Sequence, residues 1–172
     1  MIIRRETPAD REAIADVHRG AFSTPEGREP VEVALVDALR EDPGWVPELS
    51  LVAVDVEPRV VGHVCLTRGD LAGTPVLGLG PLGVLPHLQG RGIGAALMHA
   101  ALGAVEAMGE PVVVLLGERR YYDRFGFVPA SGLGIAAPDP EWREHFQART
   151  LSAWRGDLRG VYRYAAPFAG VG

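Results

Sequence analysis

The chain has 172 residues and a formal net charge of −5, and 47% of its residues are hydrophobic. That length suits a single domain over residues 1–172, with a composition typical of soluble globular proteins. The absence of a basic block argues against a nucleic-acid partner, and no apolar run is long enough to span a membrane. The only cysteine, Cys65, lies in an apolar run and cannot form an internal disulfide. With no signal-peptide pattern after Met1, this predicts a cytoplasmic location.

The first forty residues predict a short strand followed by two helices. In "TPADRE" Thr7 is a good N-cap and Pro8 suits the first helical position. Apolar residues then recur at helical spacing, and "STPEGREP" separates this helix from a second amphipathic one, "VEVALVDALRED". His18 on the first helix is interpreted as a half-buried packing residue.

The middle of the chain predicts strands. "LSLVAVDVEPRVVGHVCLTRG" reads as an antiparallel hairpin with its turn at residues 57–59, and "VLGLGPLGVLP" as a third strand containing glycines. "EPVVVLLGE" is typical of a strand buried on both faces. "RRYYDRFGF" predicts one or two helical turns and "GFVPA" a strand. "ARTLSAW" and "GVYRYAAPF" predict short closing strands, after a Pro/Gly-rich loop over residues 131–147. The class is α/β.

The stretch "HLQGRGIGAALMHAAL" contains three glycines, Gly90, Gly92 and Gly94, directly ahead of a long predicted helix. A helix N-terminus carries unpaired N–H groups and partial positive charge, so it favours an anion. Glycines let phosphate oxygens approach the backbone. The segment therefore predicts a pyrophosphate site, although a tight strand-to-helix turn is the simpler alternative.

Two other phosphate motifs fit less well. The nucleoside-triphosphate loop requires Lys-Ser or Lys-Thr after its last glycine, and neither follows here. Gly90, Gly92 and Ala95 satisfy the dinucleotide fingerprint formally, and Glu118 ends the next strand. That fold, however, places the glycines after the first strand of a βαβ unit. Here an antiparallel meander precedes them, which argues against a dinucleotide.

The remaining pattern, "QGRGIG", resembles the Q/R-x-x-G-x-G/A signature of the GNAT superfamily of acyl-CoA N-acyltransferases. "LGPLGVLPHLQGRGIGAALMHAAL" resembles that family's fourth strand, pyrophosphate loop and third helix, and "YYDRFGF" its "YEKLGF"-type segment. The chain looks most similar to a bacterial branch of predicted N-acetyltransferases. The resemblance implies a GNAT-type fold, with a mixed, mostly antiparallel central sheet flanked by helices.

The resemblance also implies acetyl-CoA as the acyl-donor cosubstrate. The backbone of Leu82, Gly83 and Val84 would pair with the pantetheine arm. The pyrophosphate would be wrapped by Gln89, Gly90, Arg91, Gly92, Ile93, Gly94 and Ala95. Many relatives carry an asparagine on the fifth strand that contacts the cofactor, and "VVVLLGERR" has none.

In the reaction that the resemblance implies, a primary amine attacks the acetyl thioester directly in a ternary complex. The backbone N–H of Val84 would stabilise the oxyanion. Tyr122, four residues before the glycine of Gly-Phe, would protonate the leaving thiolate in preference to Tyr121. An amine with a pKa near about 10.4 must first lose a proton. The candidate bases are Glu26, Glu29, His63, Asp70 and Glu118, and a chain of water molecules is a further alternative.

Several alternatives stay open at this point. The acceptor is an amine-bearing small molecule or a protein, and the same cofactor site permits a hydroxyl acceptor or another acyl donor. A non-catalytic acyl-CoA sensor is the alternative from a different class. Loops 23–30 and 131–147 are expected to shape the acceptor site, and the resemblance allows a homodimer. The histidines and the cysteine show no metal-ligand spacing, so no metal is expected.

Overall fold

The computed structural model describes residues 1–170, so the last two residues of the predicted domain lie outside it. Strand β1 (Ile2–Arg5) leads through the 3-10 turn Pro8–Asp10 into helix α1 (Arg11–Ala21), and helix α2 (Val31–Arg40) follows. Thr7 marks this helical start as predicted: its N–H and its hydroxyl both donate to Asp10 Oδ2, at 2.7 and 2.9 Å. These bonds satisfy groups that the start of a helix would otherwise leave unpaired.

Strands β2 (Trp45–Val54), β3 (Val60–Leu71) and β4 (Thr74–Val84) form the predicted antiparallel meander. Helix α3 (Ile93–Ala107) then crosses the sheet and returns the chain to β5 (Val112–Leu116), which pairs parallel with β4. The buried face of α3 supplies much of the main core. None of the helices within residues 1–170 is both long and apolar enough to cross a membrane.

The C-terminal third contains α4 (Arg119–Tyr122), β6 (Val128–Pro129), β7 (Ile135–Ala136), β8 (Phe146–Thr150) and β9 (Gly160–Arg163). The strand order is β1-β2-β3-β4-β5-β8-β6, and β9 pairs with both β3 and β7. Within residues 1–170 only the β4–β5 and β7–β9 pairs are parallel. This mixed, mostly antiparallel sheet with flanking helices confirms the predicted fold class.

The sequence misplaced the first closing strand. The segment "ARTLSAW" was expected to be extended throughout, but β8 begins at Phe146 and ends at Thr150. Thr150 pairs with Val112, the first residue of β5, so no partner strand continues beyond it. The chain turns there instead, and Leu151 N–H donates to the carbonyl of Pro111 at 2.9 Å. Strand β7 was also missed, inside the region expected to be a loop.

Strands β4 and β5 pair over a short distance only. Their register joins Leu77 to Val113 and Gly78 to Val114. Beyond Gly78, the register between β4 and β3 shows one extra residue in β4, a bulge at Gly80–Pro81. From there β4 stays paired with β3 while β5 stays paired with β8. One edge of β4 is thereby left without a strand partner, and a cavity opens beside it.

Candidate active site

A cavity of about 820 Å³ lies where β4 and β5 separate. One side is lined by the β4 bulge region (Leu79 to Leu82), the end of β5 (Leu116 to Glu118), Tyr121 and Tyr122. The other walls come from the end of α1, from α2, from the 131–147 segment and from the chain after β9. No residue of loop 23–30 lines the cavity, so of the two expected loops only the second contributes. This volume is typical of a small-molecule site.

The free edge of β4 presents backbone groups of Leu82 and Val84 that pair with no strand. Leu85 N–H donates to the carbonyl of Val61 on β3 at 3.0 Å. Since successive residues of a strand present their backbone groups to opposite edges, those of Val84 and Leu82 face away from β3. Gln89 Nε2 does donate to Val84 O at 3.0 Å, from that same side. Leu82 lines the cavity, whereas Gly83 and Val84 do not.

The glycine loop and the start of α3 form an anion-binding geometry. Gly90 and Gly92 adopt left-handed backbone conformations, with φ of 75° and 84°. Gly92 is the N-cap of α3 and makes no side-chain cap, and the first turn carries no acidic residue. The first intrahelical bond runs from Ala96 N–H to Gly92 O at 2.9 Å. The N–H groups of Ile93 to Ala95 therefore have no intrahelical acceptor, and they give this end of the helix its partial positive charge.

Glycine is required at these three positions for two different reasons: backbone conformation at Gly90 and Gly92, and side-chain space at Gly94. A Cβ added at Gly90 or Gly92 would meet no atom within 4 Å, so the positive φ at each position is what requires glycine. A Cβ added at Gly94 would lie 2.6 Å from the hydroxyl oxygen of Tyr121. Gly94 was expected to clear space for phosphate. In the structure it leaves room for a side chain of α4.

The two adjacent tyrosines occupy different positions in the cavity. Tyr122 packs its ring against Gly117 and lies 6.0 Å from the ring of Phe127, between centroids. Burial raises the pKa of Tyr122 to about 12, with a smaller contribution from Tyr121. Burial also raises the pKa of Tyr121, whose hydroxyl lies against Gly94 at the start of α3. Both hydroxyls are therefore protonated at neutral pH.

A buried polar network connects α1, α2, β2 and β3. His18 Nε2 and His63 Nδ1 are 2.8 Å apart, and His63 Nε2 is 2.9 Å from Ser50 Oγ. The Ser50 hydroxyl donates to Glu6 Oε2 at 2.5 Å, and Arg40 Nε donates to Glu6 Oε1 at 2.7 Å. His18 is fully buried, so its assignment as a half-buried packing residue is corrected. Its Nε2 is bonded within this network, whereas its buried Nδ1 has no hydrogen-bond partner among the described residues.

Burial governs the charges in this network. It lowers the pKa of His18 to about 3, and it is also the main reason that the pKa of His63 is lowered. Burial would raise the pKa of Glu6, but hydrogen bonds with His63, Arg40 and Ser50 outweigh that effect and hold it at about 2. At neutral pH the histidines are therefore neutral and Glu6 is ionised.

Of the five residues expected as candidate bases, only Glu118 lines the cavity. His63 lies in the buried network and Glu29 pairs with Arg19, while Glu26 and Asp70 are exposed away from the cavity. The sequence missed Glu32, which lines the cavity from the first turn of α2. Nothing in its local sequence separates Glu32 from an ordinary surface glutamate, so no sequence signal could have identified it.

Comparison with known proteins places this geometry among acetyltransferases. The acetyltransferase (GNAT) family matches residues 11–127. The chain is 38% identical over 144 residues to the uncharacterized N-acetyltransferase YjhQ of Escherichia coli, with 79% of each chain covered. It is 33% identical over 154 residues to the uncharacterized N-acetyltransferase YhbS of Escherichia coli, with 88% of each covered.

Two solved structures share the whole fold. YhbS from Escherichia coli in complex with CoA has a TM-score of 0.88 at 31% identity, covering 99% of this chain and 93% of that one. A GNAT family acetyltransferase from Brucella melitensis in complex with acetyl-CoA has a TM-score of 0.79 at 32% identity, covering 97% of both chains.

Proposed function

The chain belongs to the GNAT family of acetyltransferases, and from that premise we propose that it transfers an acetyl group from acetyl-CoA to a primary amine by direct attack in a ternary complex. The observation that carries this proposal is the uncapped start of α3 next to the free edge of β4. The start of α3 contacts Tyr121 at Gly94, and Tyr121 and Leu82 both line the cavity of about 820 Å³. CoA and acetyl-CoA in the two similar structures are in keeping with that geometry.

The residues present fit acetyl-CoA. The N–H groups of Ile93 to Ala95 and the loop from Gly90 to Gly92 would receive the pyrophosphate, and the exposed Arg91 would add positive charge beside it. The edge from Leu82 to Val84 would hold the pantetheine arm in the manner of a further strand. Gln89 would hold the glycine loop against the end of β4, because its side-chain amide donates to Val84 O. When bound, acetyl-CoA supplies an activated acetyl thioester.

The oxyanion that develops during amine attack requires an N–H donor. Val84 was the residue expected from the sequence. Leu82 presents its N–H to the same edge of β4 and lines the cavity, which Val84 does not. We therefore assign the oxyanion contact to Leu82 N–H, with Val84 helping to hold the pantetheine arm.

Acetyl transfer also requires two proton transfers, one from the attacking amine and one to the leaving thiolate. The attacking amine must be neutral, and the carboxylates that line the cavity, Glu32 and Glu118, are the groups of the described residues that take up its proton there. The Tyr122 hydroxyl, protonated at neutral pH, donates to the departing sulfur. A thiol pKa of about 8.5 makes the thiolate a moderate leaving group, so this donation lowers the barrier.

Calorimetry with acetyl-CoA, followed by detection of free CoA thiol in the presence of amines, tests the proposal. Tight acetyl-CoA binding with amine-dependent thiol release supports acetyl transfer. Binding without release for any amine or alcohol favours the sensor function, and release with alcohols alone favours O-acyl transfer. Failure to bind acetyl-CoA would refute the proposal.

A further inference from the structure

We propose that the acceptor is a primary amine carried by an aromatic body, with its ammonium group held beside Glu32. The inference rests on the proposed acetyl transfer and names the substrate class of that same site. It comes from the part of the cavity that the proposed acetyl-CoA position leaves free. This acceptor side is lined by Phe22, Glu32, Leu35, Pro138, Trp142, Arg163, Tyr164, Ala165, Ala166, Phe168 and Ala169.

Aromatic rings dominate the acceptor side. The ring centroids of Tyr164 and Phe168 are 4.8 Å apart, and those of Trp142 and Tyr164 are 6.1 Å apart, so three rings form one continuous wall. Phe22 is stacked on the buried ring of His18, with centroids 5.8 Å apart and an interplanar angle of 20°. These contacts hold the rings in fixed orientations. Fixed aromatic faces favour a flat aromatic ligand, because offset and edge-to-face ring pairs add to the gain from apolar burial.

Charge on the acceptor side favours one ammonium group. Glu32 is half-buried and takes part in no ion pair or side-chain hydrogen bond within residues 1–170. A carboxylate among aromatic faces is a suitable environment for an ammonium group, which the ring faces also attract. Polyamines and aminoglycosides carry several cations, whereas Glu32 is the one carboxylate that the described residues place on the acceptor side, with Glu118 on the side proposed for acetyl-CoA. Their remaining charges would lie against apolar walls without partners.

Arg163 distinguishes two kinds of aromatic acceptor, those with a carboxylate and those without one. It also lines the acceptor side and forms no ion pair with the residues that the structure describes. Aromatic amines without a carboxylate, such as phenethylamine and tryptamine, would use Glu32 alone. Aromatic amino acids, such as phenylalanine, would place their carboxylate at Arg163 as well. The shared chemistry is a primary amine on a short chain from an aromatic ring.

The test measures CoA thiol release by the full chain with acetyl-CoA and a matched panel of amines. The panel contains phenethylamine, tryptamine, phenylalanine, cyclohexylethylamine, hexylamine, spermidine and a lysine-containing peptide. We expect kcat/KM for the best aromatic amine to exceed that for hexylamine, spermidine and the peptide by about 10-fold or more. Cyclohexylethylamine, which has similar bulk but no π-system, should fall between phenethylamine and hexylamine.

Single substitutions test which side chains of the cavity contact the acceptor. Glu32→Gln should raise KM for phenethylamine about 10-fold and also lower kcat, because it removes the ammonium partner and one of the two carboxylates proposed to take up the proton, and it should leave the KM for acetyl-CoA unchanged. Glu41→Gln, an exposed position at the end of the same helix and outside the cavity, is the matched control and should change neither. Phe168→Leu should reduce the preference for phenethylamine over cyclohexylethylamine. Arg163→Gln should impair phenylalanine more than phenethylamine if amino acids are the better acceptors.

The possible results distinguish failure of the proposed acceptor class from failure of the proposed acetyl-CoA site. If acetyl-CoA binds but spermidine, the peptide or hexylamine is preferred, or no aromatic amine reacts, the acceptor class is wrong while the cofactor assignment stands. An equal response of Glu32→Gln and Glu41→Gln would likewise overturn the role of Glu32. If acetyl-CoA does not bind, the proposed function fails and the acceptor class fails with it.

Discussion

Replacement of Gly92 by alanine and by glutamate separates the backbone role of this residue from its proposed role at the pyrophosphate. Gly92 has a φ of 84°, and a Cβ there would meet no atom within 4 Å. The Cβ atom that both substitutions add therefore clashes with nothing. Both should lower the free energy of unfolding by about 1–2 kcal/mol, the cost of a left-handed conformation for an L-residue. The glutamate recovers about 0.3–1 kcal/mol of this, because its charge complements the helix N-terminus.

Cofactor affinity should respond in the opposite order. At a separation of about 5 Å and an effective dielectric constant of about 20, a carboxylate and a phosphate charge repel by about 3 kcal/mol, or roughly 150-fold in affinity. Gly92→Glu should therefore lose at least that factor in acetyl-CoA affinity. Gly92→Ala, which adds no charge, should lose no more than about 10-fold through the distorted loop.

Calorimetric titration of both variants with acetyl-CoA, beside urea unfolding of each, checks this. Raising the salt concentration from about 50 mM to about 300 mM should narrow the gap between the two affinities, because salt screens the repulsion. Equal losses in the two variants would show that loop conformation alone matters. Normal binding by Gly92→Glu would place the phosphates elsewhere and refute the anion-site reasoning.

Three further predictions follow from the site. Tyr122→Phe should lower kcat about 10²-fold with little change in acetyl-CoA affinity, measured by steady-state thiol release and calorimetry, because only the proton donor is lost. Gly94→Ala should destabilise the protein by about 1 kcal/mol or less in urea unfolding, since its methyl group would lie 2.6 Å from the Tyr121 hydroxyl oxygen, an effect that the better helix propensity of alanine partly offsets. Acidification should destabilise the fold below pH 6.5, because burial lowers the pKa of His18 from its usual 6.5 to about 3. Between those values the unfolded chain binds a proton that the native state excludes, so unfolding at pH 5 should cost about 2 kcal/mol less than at pH 7.

Each of these three predictions has a matched control. Tyr121→Phe should retain most of kcat, and an equal loss in both phenylalanine variants would contradict the acid role of Tyr122. Adding Tyr121→Phe to Gly94→Ala should restore most of the lost stability, because the hydroxyl that clashes is gone. Independent, additive effects would exclude that contact. His18→Gln should reduce the fall in stability between pH 7 and pH 5 by about 2 kcal/mol and leave the part that comes from His63. A flat profile in the unsubstituted protein would show that His18 is not held neutral.

The sequence by itself determined the features that depend on neighbouring residues. The strand meander, the cap at Thr7 of the 3-10 turn that leads into α1, and the glycine loop ahead of α3 each follow from periodicity, capping or backbone freedom within a few residues. The anion-binding geometry also belongs to this group, because a helix N-terminus carries its unpaired N–H groups wherever the helix lies. The resemblance carried by "QGRGIG" and "YYDRFGF" rested on the same short segments, and the family match confirmed it.

The tertiary structure alone decided which side chains share a cavity. Glu32, Trp142 and Phe168 line the same cavity. Glu32 and Phe168 are more than a hundred residues apart in the sequence, and no local pattern distinguishes any of the three from its neighbours. The burial of His18, and the reason that residue 94 is a glycine, likewise depend on packing between separate elements. Local sequence patterns report backbone preference and amphipathicity, whereas acceptor recognition depends on contacts between elements distant in the chain. The glycine loop and the helix start that we propose for the cofactor were therefore predictable, whereas the cavity wall that we propose for the acceptor became visible only when the elements packed together.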